Sequence, residues 1–250
     1  MSEMEKPLII VCGEVSVGKS ACFRNIPNQE RWVFGNTEAG KPIPFRNKFN
    51  KRNIVDTAIV APMINAANAS PNIDGVIVDS LTFLLDNVNL ELNLDEDVVG
   101  FEKWNQYDNF IKKFFLKDIG ALTKPLIMTA HVKDVIVEGS GKLISIIPVK
   151  GQNKAVGLEG YATLIVHAKK VPIEKLKEYD LGSPLLNIDD KDRRRGYKHV
   201  FQTRSTEDNM HERMRAPLDF FDDMSEVFID NDIMHIINRW NEYYGTDFCK

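Results

Sequence analysis

The sequence predicts an α/β fold with a mainly parallel central sheet flanked by helices. Continuous apolar runs at 8–12, 75–79 and 125–130 are typical of strands that are buried on both faces of such a sheet. Stretches with helical spacing of apolar residues separate these runs. An alternation of strands and helices along the chain indicates parallel strands joined by crossover helices.

The first half of the chain alternates in this way. A short helix follows the first strand and must end before Pro27, because proline disfavours the helical conformation of the residue before it. Residues 31–37 predict a second strand. Residues 40–53 are rich in glycine, proline and basic side chains, which predicts a loop. Residues 54–69 suit a helix, whose continuity at Pro62 stays open.

The second half continues the pattern. Residues 104–119 place aromatic and aliphatic side chains at helical spacing, which predicts an amphipathic helix. Residues 132–160 are rich in glycine and lysine and predict a long excursion, with a hairpin around 143–148. Strands are expected to return at 161–168 and 198–203.

No linker divides the sequence, so we expect one domain over residues 1–250. The core would cover about 7–170, and a C-terminal extension would cover about 171–250. The extension ends in a predicted helix with Gly245 as its stop. One face of that helix carries Ile233, Ile236, Ile237, Trp240 and Tyr244.

Composition excludes several classes of protein. Of the 250 residues, 43% are hydrophobic and 27% charged, unlike a disordered chain, and the net charge of −4 excludes a globally basic nucleic-acid binder. Three scattered cysteines are too few for a disulfide framework or a zinc site. No apolar run approaches the roughly 20 residues of a membrane span. Residues 1–6 lack the pattern of a signal peptide, so we expect a cytoplasmic protein without a membrane partner.

The loop after the first strand fits the phosphate-binding pattern Gly-x-x-x-x-Gly-Lys-Ser/Thr. Glycines let the backbone curl so that successive N–H groups point at phosphate oxygens. Lys19 would reach the β- and γ-phosphates of ATP, and the Ser20 hydroxyl would coordinate Mg²⁺. The predicted nucleotide-binding set is Gly13, Glu14, Val15, Ser16, Val17, Gly18, Lys19, Ser20 and Ala21.

Asp79 ends the apolar run 75–79 and is the second candidate metal residue. A carboxylate at the carboxyl end of a parallel strand lies at the edge where α/β proteins bind ligands. There it can hold Mg²⁺ through a water molecule, opposite Ser20. The alternative is a simple helix cap, since a helical pattern begins directly after it.

The order of these motifs resembles the RecA-like ATPase core of P-loop NTPases. More narrowly, Asn-Thr-Glu-Ala-Gly at 36–40 and Met-Thr-Ala-His-Val at 128–132 are similar to segments of phage-encoded nucleotide-binding proteins built on a bare RecA core. Some of those proteins act as recombinases or single-strand annealing factors. The resemblance covers roughly residues 7–170.

The resemblance implies two further catalytic roles besides that of Lys19. Glu38 matches the glutamate that activates the hydrolytic water, and the alternative is a solvated loop residue. His131 matches the polar sensor that contacts the γ-phosphate, and the alternative is a histidine that serves only the sheet edge. An imidazole can donate a hydrogen bond to a phosphate oxygen, and would do so best when protonated.

The resemblance also implies that the 132–160 excursion binds single-stranded DNA. Its candidate phosphate contacts are Lys133, Lys142, Lys150 and Lys154. It lacks an aromatic stacking platform before Tyr161, which weakens the case. The stretch expected to be a first DNA-binding loop, about 86–103, is acidic and would repel a DNA backbone.

The densest basic run contains Arg193, Arg194 and Arg195. It could contact DNA phosphates, reach the γ-phosphate of a neighbouring subunit, or be a solvated turn. Arg204 is a further candidate for such an arginine finger.

These observations predict an Mg²⁺-dependent, DNA-dependent ATPase of RecA type that acts in recombination, annealing or replication. We expect a phage-derived protein that binds single-stranded DNA and forms a homo-oligomer. A single-strand-binding or replication protein is a further candidate partner. Two alternatives stay open. One is an ATP-switched scaffold that recruits replication or recombination partners, and the other is a P-loop nucleotide kinase with the arginine run as its lid.

Overall fold

The computed structural model describes residues 6–150, 157–179 and 182–249. Their strands are β1 (Leu8–Gly13), β2 (Trp32–Asn36), β3 (Asn50–Asn53), β4 (Gly75–Asp79), β5 (Leu126–His131), β6 (Lys133–Ile136), β7 (Leu143–Ile146), β8 (Leu164–Pro172), β9 (Tyr197–Gln202) and β10 (Phe228–Asp230). The α-helices are α1 (Val60–Ala69), α2 (Leu81–Leu94), α3 (Phe101–Lys113), α4 (Ile173–Lys177), α5 (Asp190–Arg195) and α6 (Ile233–Tyr244).

The central sheet has the strand order β10-β9-β8-β1-β5-β4-β2-β3. The strands from β8 to β3 in this order run parallel, whereas β9 pairs antiparallel with both β8 and β10. Helices cover both faces. This arrangement confirms the predicted α/β class with a mainly parallel sheet flanked by helices. The two predicted strands at 31–37 and 75–79 are neighbours in it.

Two apolar clusters lie on the two faces of the sheet. One contains buried side chains of α1, α2 and α3, and the other contains α6 and the 3-10 helix Ser20–Asn25. Trp240 of α6 is 1% exposed, so the C-terminal helix packs on the sheet. It begins at the Asp232 cap and ends at Gly245, whose φ of 63° is left-handed. None of the described helices is long and apolar enough to cross a membrane.

Pro62 does not break the helix predicted at 54–69. A 3-10 turn at Thr57–Ile59 leads into α1, and Pro62 is the third residue of α1. In the first turn of a helix the backbone N–H has no intrahelical partner, so proline is tolerated there.

Two predicted loops contain regular structure. The 40–53 segment ends in β3, a short edge strand that pairs with β2. Much of the 86–103 segment is helical, because α2 extends to Leu94 and α3 begins at Phe101. The buried residues Leu84, Leu85 and Val88 repeat at helical spacing, which explains why α2 continues through this region.

The 132–160 excursion begins with an antiparallel hairpin of β6 and β7. Its turn lies at 137–142, ahead of the predicted position. Gly139 and Gly141 both adopt positive φ in this turn, a conformation that other residues rarely take.

Candidate nucleotide-binding site

The loop between β1 and the 3-10 helix Ser20–Asn25 forms a compact curl. Gly18 has a φ of 97° and Ser16 a φ of 63°, so the backbone turns twice through conformations that side chains disfavour. Lys19 lies at the end of this curl. Its ammonium donates to the carbonyl oxygens of Gly13 at 2.9 Å and Glu14 at 2.6 Å. The lysine side chain thus folds back over the loop.

Burial lowers the pKa of Lys19. The residue is 8% exposed, and loss of hydration lowers the pKa of its ammonium to about 8, against the raising influence of Asp79 and Glu38. A phosphate placed in the loop would supply the counter-charge that this ammonium lacks. The chemistry of the position therefore favours an anionic ligand.

Asp79 lies at the carboxyl end of β4, within hydrogen-bonding reach of the loop. Its carboxylate accepts hydrogen bonds from the Thr129 hydroxyl of β5 and from the Ser20 hydroxyl. Burial is the larger effect and raises the pKa of Asp79. The structure therefore brings the two candidate metal residues together.

This donor set fits Mg²⁺. Hydroxyl and carboxylate oxygens are the ligands that Mg²⁺ takes from proteins, and the ion keeps waters and substrate phosphates for its remaining positions. In the described part of the chain no group of three or more His, Cys, Asp or Glu side chains could hold a metal. Ser20 and Asp79 are the residues of the predicted set that could hold such an ion.

Glu38 follows β2 in a tight turn. Its backbone N–H donates to the Asn36 side chain at 2.9 Å, and its carboxylate pairs with Lys41 at 2.8 Å. The turn is joined to β4 because the Thr37 hydroxyl donates to the Ser80 carbonyl at 2.7 Å and accepts from the Ser80 N–H at 2.8 Å. These bonds hold the Glu38 carboxylate on the wall of the cavity that contains Lys19.

His131 is the last residue of β5 and is half-buried. Its Nδ1 lies 3.2 Å from the Lys19 ammonium, so a neutral imidazole accepts a hydrogen bond there. Burial, and then the charge of Lys19, lower the pKa of His131. The structure thus disfavours the protonated imidazole that the sequence analysis considered the better donor. With Nδ1 accepting, Nε2 carries the proton and remains a donor.

These residues line one cavity of about 620 Å³, a volume within the usual range for small-molecule sites. Of the predicted set, it is lined by Val15, Ser16, Gly18, Lys19, Ser20, Ala21, Glu38, Asp79, His131 and Arg195. Phosphate-loop, acidic and sensor positions that are far apart in sequence therefore meet at one edge of the sheet.

A second wall of this cavity was mostly missed in the sequence, which singled out only the basic run 193–198. It comes from the opposite flank of β1, and its members are Asp189, Asp192, Lys198, His199 and Asn231. A signal existed for Asn231. The apolar run 227–229 is followed by Asp230 and Asn231, much as the run 76–78 is followed by Asp79. Further lining residues are Arg24, Phe34, Asn36, Lys41, Pro42, Ile43 and Pro44.

The candidate DNA-binding lysines in the described part of the chain do not line the cavity. Lys133 and Lys142 are exposed on the hairpin, whose strand β6 starts two residues after His131. Lys150 lies 3.5 Å from Asp86 of α2, in an exposed ion pair. Lys154 is outside the described residues.

The basic run separates into different environments. Arg195 lines the cavity of its own chain, at the end of α5. Arg193 is exposed and donates to the Ile188 carbonyl at 3.0 Å, and Arg194 is exposed on the same helix. Arg204 lies elsewhere and donates to the Asp222 carbonyl at 2.9 Å.

Comparisons with known proteins add the following. No protein-family model and no curated protein matches the chain. Among solved structures, the crystal structure of the RadB recombinase is similar to it, with 15% sequence identity and a TM-score of 0.41. The similarity covers 66% of this chain and 76% of that one. A similarity this distant decides nothing about the site, and the roles of its residues depend on the geometry above.

Proposed function

We propose that the protein is an Mg²⁺-dependent ATPase of RecA type. The observation that carries this proposal is the convergence of Lys19, Asp79 and Glu38 on one cavity, from three strands of the sheet. A cation for phosphates, a carboxylate for the metal and a second carboxylate beside them are the parts that hydrolysis of a nucleoside triphosphate requires.

Each side chain has a role in this proposal. The backbone of residues 13–18 and the Lys19 ammonium bind the β- and γ-phosphates. Ser20 and Asp79 hold Mg²⁺, which when bound neutralises phosphate charge. Glu38 orients the attacking water and accepts its proton. His131 donates from Nε2 to a γ-phosphate oxygen, while its Nδ1 stays directed to Lys19.

We further propose that single-stranded DNA binds along the β6–β7 hairpin. Lys133 and Lys142 offer sequence-independent phosphate contacts there. The link from β5 to β6 supports coupling to the nucleotide, because one residue separates His131 from Lys133. The roles of Lys150, Lys154 and the exposed Arg193 and Arg194 in DNA binding stay part of this proposal.

Recombination, annealing or replication is the process that the motif resemblance supports, in the cytoplasm of a bacterial or phage-infected cell. A homo-oligomer, an Arg204 finger across its interface and a phage source rest on the same resemblance. So does a single-strand-binding or replication protein as partner.

A nucleotide kinase is the second candidate. Arg195 on the cavity wall favours it, because a kinase lid places an arginine near the transferring phosphoryl group in the same chain. Glu38 favours water as the acceptor.

One experiment tests the proposal. Phosphate release from ATP is measured with Mg²⁺, with and without single-stranded DNA, over a series of salt concentrations. We expect turnover that DNA stimulates at low salt and that declines as salt rises. ATP binding without turnover, with or without DNA, contradicts the ATPase. A phosphorylated nucleotide acceptor detected by mass spectrometry would decide for the kinase.

A further inference from the structure

The cavity has two flanks that meet at β1. Asp79, His131 and the turn that holds Glu38 follow strands on one side of β1 in the sheet order. On the other side lie β8, β9 and β10. Because β9 runs antiparallel to β8, its first residues reach the same sheet edge as the carboxyl end of β1.

The strands of this second flank extend past the end of β1, alongside the phosphate loop. Cys12 near the end of β1 pairs with His167 of β8, yet β8 continues to Pro172. His199 of β9 therefore stands beyond the end of β1, and its Nδ1 lies 2.8 Å from the Val17 carbonyl of the loop. Asn231 directly follows β10 and is level with His199, because Asp230 pairs with Val200.

Asn231 has an unusual environment. It is 4% exposed and lines the cavity, yet among the described residues neither its amide nitrogen nor its amide oxygen has a hydrogen-bond partner. Buried polar side chains are nearly always paired, because an unpaired donor or acceptor is costly. Its backbone carbonyl, in contrast, accepts a hydrogen bond from Arg24. The main chain is held in place, and the side chain is left unpaired.

The amide lies against the phosphate loop. A Cβ atom at Gly18 would lie 3.1 Å from the Asn231 amide nitrogen and 3.4 Å from His199 Nδ1. Asn231 therefore packs against Gly18, and because both residues also line the cavity, we expect a ligand held by the loop to come within reach of this amide. Glu38, Asp79 and His131 occupy the other flank, where the terminal phosphate belongs under the proposed function. The nucleoside must then leave the loop toward β9 and β10.

We propose that Asn231 binds the nucleoside half of the nucleotide. This inference rests on the proposed function, in which residues 13–20 hold a triphosphate. The amide offers an NH₂ group that donates and a carbonyl oxygen that accepts. A nucleoside presents the complementary pair in the adenine edge, with its 6-amino group and ring nitrogen, and in the ribose hydroxyls. Binding would satisfy both orphaned atoms of Asn231.

The test is a titration of the full chain with ATP, 2′,3′-dideoxy-ATP and purine riboside triphosphate in the presence of Mg²⁺. The second ligand lacks the sugar hydroxyls and the third lacks the 6-amino group. Asn231→Leu has similar size and no polar atoms. We expect it to weaken ATP binding about tenfold, in line with loss of hydrogen bonds to a buried amide.

The analogues locate the contact. If Asn231→Leu costs less affinity for dideoxy-ATP than for ATP, the amide contacts the sugar. If it costs less affinity for purine riboside triphosphate than for ATP, the amide contacts the base. The inference is overturned if Asn231→Leu binds ATP as tightly as the wild type, or if it loses the same affinity for all three ligands. Wild-type protein that binds none of the ligands, or that binds ATP equally well after Lys19→Ala, instead overturns the proposed function.

Stability measurements separate binding from a structural role. Without nucleotide, Asn231→Leu should raise the Tm, because it removes two unpaired buried polar atoms. Asn241→Leu is the matched control. Asn241 is also buried, but its amide donates to the Phe248 carbonyl at 2.7 Å and accepts from the Thr246 hydroxyl at 2.8 Å. That variant should lower the Tm and leave the relative affinities for the three ligands unchanged. A lower Tm for Asn231→Leu would contradict an amide held unpaired for a ligand.

Discussion

The two flanks of the cavity differ in how their polar side chains are held. On the flank of β5, β4 and β2, Asp79, His131 and Glu38 each have partners within the protein. On the flank of β8 to β10, the amide of Asn231 is buried with no partner in the part of the chain that the structure describes, and Arg195 is exposed at the end of α5. The first flank is organised before a ligand arrives. On the second flank Lys198 pairs with Asp192 and His199 contacts the Val17 carbonyl, whereas the Asn231 amide is still to be satisfied within the described residues. Under the two proposals above, catalysis and nucleoside binding fall to different parts of the sheet.

The largest effect is expected from the organised flank. Glu38→Gln keeps the size of the side chain but removes the base, so turnover should fall about a thousandfold while ATP binding is retained. Phosphate release and a nucleotide titration measure the two quantities. Glu174→Gln, on the exposed surface of α4, is the matched control and should turn over normally. Undiminished turnover in Glu38→Gln would remove Glu38 from the mechanism.

Lys19→Ala tests the loop that both flanks share. Loss of a charge-assisted contact to phosphate should weaken ATP binding about a hundredfold. Calorimetric titration with Mg²⁺ measures the affinity. Lys113→Ala removes a surface lysine that pairs with Asp118, and should bind ATP like the wild type. Equal losses in the two variants would show that the fold, not the loop, was disturbed.

The pH dependence of ATP binding also tests whether Lys19 contacts the bound phosphate. The pKa of Lys19 is about 8 in the free protein, and a bound phosphate should raise it. Binding then favours the protonated lysine, so affinity for ATP should fall above pH 8 by up to about tenfold per pH unit. Calorimetry in buffers of different ionisation enthalpy should show net proton uptake in this range. Proton release or no exchange would contradict the assignment.

The smallest effect concerns DNA. Lys133→Ala and Lys142→Ala should each reduce the slope of log affinity against log salt by about 0.7 for single-stranded DNA, and leave ATP binding unchanged. Fluorescence anisotropy at several salt concentrations measures this slope. Lys177→Ala is the control, since Lys177 pairs with Glu174 away from the hairpin. Identical slopes in all three variants would move the DNA site off the hairpin.

Part of the organised flank could be predicted from the sequence by a simple rule, which found Asp79, whereas Glu38 and His131 were implied by the family resemblance. Apolar runs such as 75–79 identify buried parallel strands, and the polar residues at their carboxyl ends meet at one edge. The other flank depends on antiparallel strands and on α5, which has only six residues and no periodicity to detect. Asn231 follows an apolar run in the same way as Asp79 does, but its strand β10 is only three residues long.

The wrong element predictions have equally local causes. The strand β3 consists of Asn50, Lys51, Arg52 and Asn53, with no apolar alternation, and it forms because the edge of β2 needs partners for its backbone. The loop expected at 86–103 came from the family resemblance and overlooked the helical spacing that ends α2 only at Leu94. Periodicity was the better guide there.

Asp232, next to Asn231, ties the two ends of the chain together. One of its carboxylate oxygens accepts from the Met234 N–H at 3.0 Å and so begins α6, and the other accepts from the Asn25 side chain at 2.5 Å in the helix that follows the loop. Occupancy of the loop should therefore slow amide hydrogen exchange in the first turn of α6. A bound nucleotide would thus link the helix Ser20–Asn25 to α6, two segments that are far apart in the sequence.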